Sequence, residues 1–166
     1  MKHPEQRVGI FVDVQNMYHS AKNLYNARVN FKEVLKAAVA NRKLVSAIAY
    51  VITSPAKDEA LFFEALDKSG FKVKTKDLQI FPGGAKKADW DVGLAMDAIK
   101  ISRRLDVVVL VSGDGDYVPL AEYLQNDGIQ VEVIAFAESS SRNLIETVDD
   151  FTDLSQDKRR YLMKIK

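Results

Sequence analysis

The sequence contains no cysteine, and this absence excludes disulfide bonds, thiolate metal sites and a cysteine nucleophile. Its two histidines, His3 and His19, are too isolated to support a zinc site or a catalytic triad. No apolar run approaches the roughly 20 residues that span a bilayer, and the N-terminus is short and polar, so we expect neither a membrane anchor nor a secretion signal. We therefore expect a cytoplasmic protein that is not bound to a membrane.

The chain also lacks an excess of charge of either sign, because 24 basic residues stand against 23 acidic ones. Net charge therefore predicts neither a nucleic-acid binder nor a protein for acidic ligands, and any electrostatic argument must be local. A length of 166 residues fits a single domain. We expect residues 1–166 to form it, with 1–6 as a short polar N-terminus and 156–166 as a basic tail that is helical or disordered.

Apolar runs typical of strands alternate with helical patterns along the chain. Strands are indicated at residues 7–14, 44–52, 71–76, 107–111 and 129–136. In the third of these, at residues 71–76, apolar or small residues alternate with lysines, which predicts an edge strand with one face in water. The order predicts an α/β fold in three layers, with helices on both faces of a doubly wound, mainly parallel sheet of five strands.

Three of the predicted helices carry specific expectations. Asn30 and Glu33 form a capping pair that introduces one helix. A second helix opens at residues 89–91 and should pack through a face that holds Val92, Met96 and Ile99, leaving Asp97 in solvent. The last helix should carry the apolar residues Leu144, Ile145, Val148 and Phe151.

Two aspartates leave the end of the buried strand at residues 107–111 together, in the stretch Ser112-Gly113-Asp114-Gly115-Asp116. The glycines permit a sharp turn and the close approach of another group, and Asp116 occupies the position of a helix cap. Ligands bind at the carboxyl ends of strands in parallel α/β sheets. Because two carboxylates this close repel each other unless a cation or a proton separates them, we expect a divalent metal here.

Two further acids are placed to share that metal. Asp13 ends the first apolar strand, where a carboxylate needs a hydrogen bond or a metal to be tolerated. If the first and fourth strands are neighbours, their ends lie about 5 Å apart and Asp13 faces Asp114 across one cavity. Asp91 lies in the first turn of a helix, a position where, as for Asp116, a carboxylate is also ordinary. Carboxylates suit Mg²⁺ or Mn²⁺, and such a pocket fits phosphate-ester chemistry.

The residues around these acids allow more than one interpretation. Lys86 and Lys87 are placed to receive a phosphate backbone, although exposed lysines near a glycine loop are commonplace. Trp90 suits either stacking on a base or packing in the core. Judged by residue type alone, Asn16 most simply caps the first helix, and Asp89 most simply caps the helix that follows it.

Taken together, three stretches resemble the NYN domain family, in particular its LabA-like branch. They are Phe11-Val12-Asp13-Val14-Gln15-Asn16, the run from Lys87 to Asp97, and Ser112-Gly113-Asp114-Gly115-Asp116-Tyr117, and the similarity extends from about residue 7 to residue 154. The resemblance implies a PIN-like fold and a magnesium- or manganese-dependent ribonuclease site. By position it implies that the acidic ligands are Asp13, Asp91, Asp114 and Asp116, supported by Asn16 and Ser112.

The acids and the resemblance together favour a metal-dependent endoribonuclease that cuts single-stranded RNA, with Lys86 or Lys87 steadying the RNA backbone. The alternative is a noncatalytic regulatory or adapter protein that retains the fold, with or without one weakly bound metal. The near-neutral charge and the lack of an obvious RNA-binding stripe favour this alternative. A homo-oligomer or a complex with a protein partner is compatible with either function. Two other functions are disfavoured by the residues near Asp13. A phosphatase of the haloacid-dehalogenase type normally has a second aspartate where this chain has Gln15. A receiver domain normally has an acid pair beside the position of Asp13, and this chain lacks that pair.

Overall fold

Strands and helices alternate along the chain in the computed structural model, which describes residues 2–54, 59–80, 82–83, 86–87 and 89–165. The strands are β1 (Arg7–Asp13), β2 (Ala27–Val29), β3 (Lys43–Thr53), β4 (Lys72–Asp77), β5 (Gln79–Ile80), β6 (Lys86–Lys87), β7 (Val107–Val111), β8 (Gln130–Ala135), β9 (Asp150–Asp153) and β10 (Leu162–Lys164). The helices are α1 (Val14–Tyr25), α2 (Phe31–Val39), α3 (Ala60–Ser69), α4 (Asp91–Ser102), α5 (Val118–Asn126), α6 (Arg142–Thr147) and α7 (Lys158–Tyr161).

The central sheet contains six strands in the order β4-β3-β1-β7-β8-β9. Each neighbouring pair in it is parallel. The predicted α/β fold with a mainly parallel sheet is therefore confirmed, whereas the predicted number of five strands is wrong by one. Two small antiparallel pairs, β2 with β10 and β5 with β6, lie outside this sheet.

The two most apolar strands, β1 and β7, lie next to each other at the centre of the sheet. All five residues of β7 are buried, and so are six of the seven residues of β1. Strands covered on both faces carry continuous apolar runs, which is why both are recognisable in the sequence. Gly9 allows Leu105 to pack closely against β1, because a β-carbon there would stand 2.5 Å from Leu105 Cδ1.

The strand missing from the prediction is β9, which occupies residues expected in the last helix. Helix α6 ends at Thr147, and Val148 is extended, with φ −77° and ψ 159°. Asp149 then fixes the chain beside β8, since its N–H donates to the Val131 carbonyl and its carboxylate accepts from the Val131 N–H. Phe151 therefore lies in a strand, although its spacing from Val148 also fits a helix.

The described part of the basic tail, residues 156–165, contains a strand as well as a helical turn, so the expectation that the tail is helical or disordered is only partly right. Helix α7 forms one turn and β10 pairs with β2. The Tyr161 carbonyl accepts a bond of 2.8 Å from the Asn30 N–H, which joins the tail to the start of α2. Arg160 and Glu33 form a salt bridge of 3.0 Å across the same junction.

One expectation about α4 is wrong, a second is only partly right, and one about the edge of the sheet is right. Of the predicted face, Ile99 packs against the core, but Val92 and Met96 are 75% and 47% exposed. The fully buried residues of α4 on the core side include Leu94 and Ala98 instead. Asp97, expected in solvent, accepts hydrogen bonds from the Tyr50 hydroxyl (2.8 Å) and from Lys74 Nζ (2.7 Å). Strand β4 is an edge strand as predicted.

None of the described helices has both the length and the apolar character that crossing a membrane requires.

Candidate metal centre

Three carboxylates from separate parts of the chain converge at the carboxyl edge of the central strands. Asp13 ends β1, Asp114 follows β7, and Asp91 begins α4. One oxygen of each lies within 4.8 Å of an oxygen of the other two. We call these residues the acidic trio. Because β1 and β7 are hydrogen-bonded neighbours, the ends of the two strands necessarily bring Asp13 and Asp114 together.

Asp13 is the most buried member of the acidic trio, with 8% of its surface exposed. Its Oδ1 accepts a hydrogen bond from the Asn16 N–H (3.2 Å) and thereby caps α1. Its Oδ2 accepts from the Ser112 hydroxyl at 3.2 Å. Burial raises the pKa of Asp13, and these hydrogen bonds offset only part of the increase. The expectation that Asn16 caps α1 is therefore wrong, since Asp13 is the cap.

Tyr117 lies between two members of the acidic trio and is almost fully buried. Its hydroxyl is 3.1 Å from Asp91 Oδ1 and 3.4 Å from Asp13 Oδ2. A hydroxyl has one proton to donate, so it favours the nearer carboxylate at any moment. Burial and the surrounding carboxylates raise the pKa of Tyr117, which keeps it protonated and able to donate. The sequence motif contains Tyr117, but no local pattern shows that its hydroxyl reaches both acids.

The acidity of Asp91 is strongly perturbed by its surroundings. Burial, followed by the negative charges of Asp114 and Asp13, raises the pKa of Asp91 to about 6. The Tyr117 hydroxyl stabilises the ionised form and opposes this increase only in part. Asp91 therefore loses its proton only as the pH approaches neutrality.

The loop after β7 is held in place by backbone hydrogen bonds to side chains. Ser112 Oγ accepts from the Asp114 N–H (3.1 Å), and Asn16 Oδ1 accepts from the Gly113 N–H (3.0 Å). A β-carbon on Gly113 would lie 2.5 Å from Ser140 Oγ and 2.9 Å from Ser140 Cα, so only glycine fits against that segment. Asn16 and Ser112 thus lie at the site and position Asp114.

Asp116 lies apart from the acidic trio. Its side chain is exposed, and its N–H donates to Asp114 Oδ1 at 2.9 Å. Asp114 is thereby the cap of the short turn Gly115–Tyr117 that leads into α5. The expectation that Asp116 is the cap is wrong, because the turn begins two residues earlier than the sequence pattern suggests.

Trp90 packs at the rim of the site, where its ring contacts other side chains and the backbone of the protein. Its indole N–H donates to the Val51 carbonyl at 3.0 Å, and its ring centroid lies 5.2 Å from that of Tyr50. Lys76 Nζ stands 4.4 Å from the Trp90 ring centroid and donates to the Asp89 carbonyl at 3.0 Å. The carboxylate of Asp89 accepts from the Asp91 N–H at 3.2 Å, which fixes the start of α4. Of the two interpretations of Trp90, the structure favours packing.

A cavity of about 350 Å³ opens beside the acidic trio. Its walls include Trp90, Ser139 and the polar face of α1, and none of the described residues that line it is a lysine or an arginine. The backbone of Lys86 and Lys87 forms β6, but their side chains lie outside the part of the chain that the structure describes. Their expected contact with a phosphate backbone therefore stays a prediction.

Comparison with known proteins agrees with the resemblance found in the motifs. The NYN domain family model matches residues 7–155. The low amplitude and bright protein LabA of Synechococcus elongatus is 29% identical over 173 residues, which cover 95% of this chain and 88% of that protein. The crystal structure of a protein of unknown function from Vibrio parahaemolyticus superposes with a TM-score of 0.87 at 32% identity, and the match covers 98% of this chain and 99% of that one.

Proposed function

The chain belongs to the NYN domain family, and on that premise we propose that it is a metal-dependent endoribonuclease that uses the acidic trio. The observation that carries this proposal is the convergence of three carboxylate oxygens within 4.8 Å of one another. Like charges at such separations are tolerated only with a cation or bound protons between them. A divalent cation is the ligand that relieves this repulsion at neutral pH.

The donor set fits Mg²⁺ or Mn²⁺, because hard cations prefer oxygen ligands and bind with a small number of carboxylates. No salt bridge reaches Asp13, Asp91 or Asp114 from any described residue. The negative charge at this point is therefore available to an ion. When bound, such an ion neutralises charge on a phosphodiester and acidifies water for its hydrolysis.

The protein's own part in the reaction is to hold the carboxylates in place. Ser112 and the Asn16 N–H orient Asp13, and Tyr117 positions Asp91, in the way that outer hydrogen bonds orient metal ligands. We assign Asp116 an outer role at the same ion, because its exposed carboxylate lies beyond the acidic trio. Lys86 and Lys87 remain the proposed contacts to the RNA backbone.

The decisive experiment compares cleavage of single-stranded RNA by the purified chain and by Asp114→Asn, each with Mn²⁺ and with EDTA. The wild type should cleave only with Mn²⁺, and the variant should be silent while keeping its circular dichroism spectrum. Asp127→Asn, an exposed aspartate after α5, is the matched control and should cleave like the wild type. Cleavage by Asp114→Asn at the wild-type rate would reject the proposal and indicate a contaminating nuclease.

One observation favours a second candidate, a noncatalytic regulatory or adapter protein. None of the described residues lining the cavity is cationic, so the cavity itself offers little attraction for a phosphate backbone. This candidate would be supported if the protein cut no RNA under any metal condition and formed a stable complex with a protein partner that Asp114→Asn left intact.

A further inference from the structure

The wall of the cavity formed by α1 carries a row of uncharged polar side chains that leads away from the acidic trio. Gln15, His19 and Asn23 are four residues apart and line the cavity together, with Ser20 beside them. Residues at this spacing lie on one face of a helix, and the row extends about 12 Å along the α1 axis. The cavity thus continues from the acids into a neutral groove.

These side chains have hydrogen-bonding capacity that the fold does not use. Within the described residues, the side chains of Gln15 and Asn23 make no hydrogen bond, and the side chain of His19 makes only an edge-on ring contact with Tyr18, at 5.4 Å between centroids. Asn16, one step further round the helix, differs because its carbonyl oxygen accepts from the Gly113 N–H. The row is therefore free to bond a ligand, whereas Asn16 is committed to the loop.

The chemistry of the row suits a nucleoside better than a phosphate. Amides and an imidazole present neutral donors and acceptors, which match base edges and ribose hydroxyls, while lysines and arginines are the usual phosphate contacts. The whole chain has a formal net charge of only +1, so long-range attraction for nucleic acid is weak and contacts to bases must contribute more of the affinity. Trp90 is engaged by Tyr50 and Lys76, which leaves His19 as the exposed ring for stacking among the described residues that line the cavity.

We propose that the row Gln15, His19 and Asn23 is a subsite that binds the unpaired nucleoside next to the phosphate held at the acidic trio. This subsite rests on the proposed nuclease function and specifies its substrate as RNA with splayed, single-stranded bases. Base edges are occupied by pairing in a duplex, so duplex RNA would not present them to the groove.

The test measures binding of a fluorescein-labelled single-stranded RNA of about ten nucleotides to the full chain in Ca²⁺, by fluorescence anisotropy over a range of salt concentrations. The double variant Gln15→Ala/His19→Ala should bind about tenfold more weakly, because it loses one polar contact and one stacked ring. At pH 8 the slope of log affinity against log salt should stay unchanged, since no lysine or arginine is removed. Binding of Mn²⁺ to the acidic trio should raise the melting temperature, and this rise should be retained in the double variant.

Asn23→Ala should weaken binding as well, and Asn126→Ala at the end of α5 is its matched control, which should bind like the wild type. Unchanged affinity of the double variant, a changed salt slope, or equally tight binding of duplex RNA would each overturn the subsite. Failure of the nuclease proposal would look different. The wild type would then show neither cleavage nor a Mn²⁺-induced rise in melting temperature, whatever the α1 variants did to RNA affinity.

Discussion

Replacing Asp91 by asparagine should make the metal-free protein more stable at neutral pH. In the folded chain, burial and the charges of Asp114 and Asp13 raise the pKa of Asp91 from its ordinary 3.8 to about 6. The folded state therefore holds a proton that the unfolded state has already released, and stability falls as the pH rises from about 4 to about 6. Above that range the ionised carboxylate destabilises the fold, and asparagine removes its charge.

The magnitude follows from the size of the pKa increase. A rise of about two pH units corresponds to at most about 3 kcal/mol, and because Asp91 is only half-buried we expect about 1 to 2 kcal/mol after screening by solvent. For a chain of this length that is an increase in melting temperature of about 2 to 8 °C. The assay is thermal unfolding of the wild type and Asp91→Asn in EDTA at pH 8 and at pH 4.

The gain should vanish at pH 4, where the wild-type carboxyl is also neutral. Adding Mn²⁺ at pH 8 should reverse the order of melting temperatures, since binding stabilises the folded wild type and the variant has lost a ligand. Asp116→Asn removes an exposed carboxylate outside the acidic trio and should leave the melting temperature in EDTA unchanged. An Asp91→Asn protein that melts no higher than the wild type in EDTA at pH 8 would refute the electrostatic reasoning.

Three other substitutions test the surroundings of the site. Arg42→Met should lower the free energy of unfolding in urea by about 3 to 5 kcal/mol, because it leaves the buried Glu132 carboxylate, now 2.9 Å from Arg42 Nη2, without its partner. Gly113→Ala should weaken the Mn²⁺-induced thermal shift while the circular dichroism spectrum is preserved, because its β-carbon would press on the Ser140 backbone and move the loop. Tyr117→Phe should lower the melting temperature in EDTA by an amount equivalent to about 1 kcal/mol, because it removes the hydroxyl that donates to the acidic trio. If one of these three measurements stayed unchanged, that result would contradict the contact from which the change was predicted.

The parts of the fold that could be predicted from the sequence are those where burial leaves a continuous pattern. Strands β1 and β7 are covered on both faces, so each is an unbroken apolar run followed by polar residues. In a parallel sheet the ends of neighbouring strands lie at the same edge, so the sequence alone is enough to place Asp13 near Asp114 once the two strands are taken as neighbours. Strand β9 has no such pattern, because all four of its residues are only partly buried.

The features that could not be predicted depend on contacts between distant parts of the chain. Lys74 and Lys76 alternate with other residues as exposed lysines of an edge strand would, yet α4 brings them Asp97 and Trp90 as partners. The approach of Asp91 to Asp13 and Asp114 likewise depends on how α4 packs beside β1. Whether Asp114 or Asp116 is the cap depends on the residue at which the turn begins. An aspartate stands at both positions, so the sequence pattern fits either start of the turn.

Among the described residues, the fold treats two clusters of charged side chains differently. Arg42 and Glu132 form a salt bridge with every buried polar atom satisfied among the described residues, so that pair is complete as it stands. The acidic trio brings three carboxylates together with no cationic side chain among the described residues to compensate them, and the pKa values of Asp13 and Asp91 are raised. Stability alone does not favour such an arrangement, and strain of this kind persists where a binding partner relieves it. A bound divalent cation would complete this cluster as Arg42 completes Glu132, and the reversal of melting temperatures by Mn²⁺ is the direct measure of that difference.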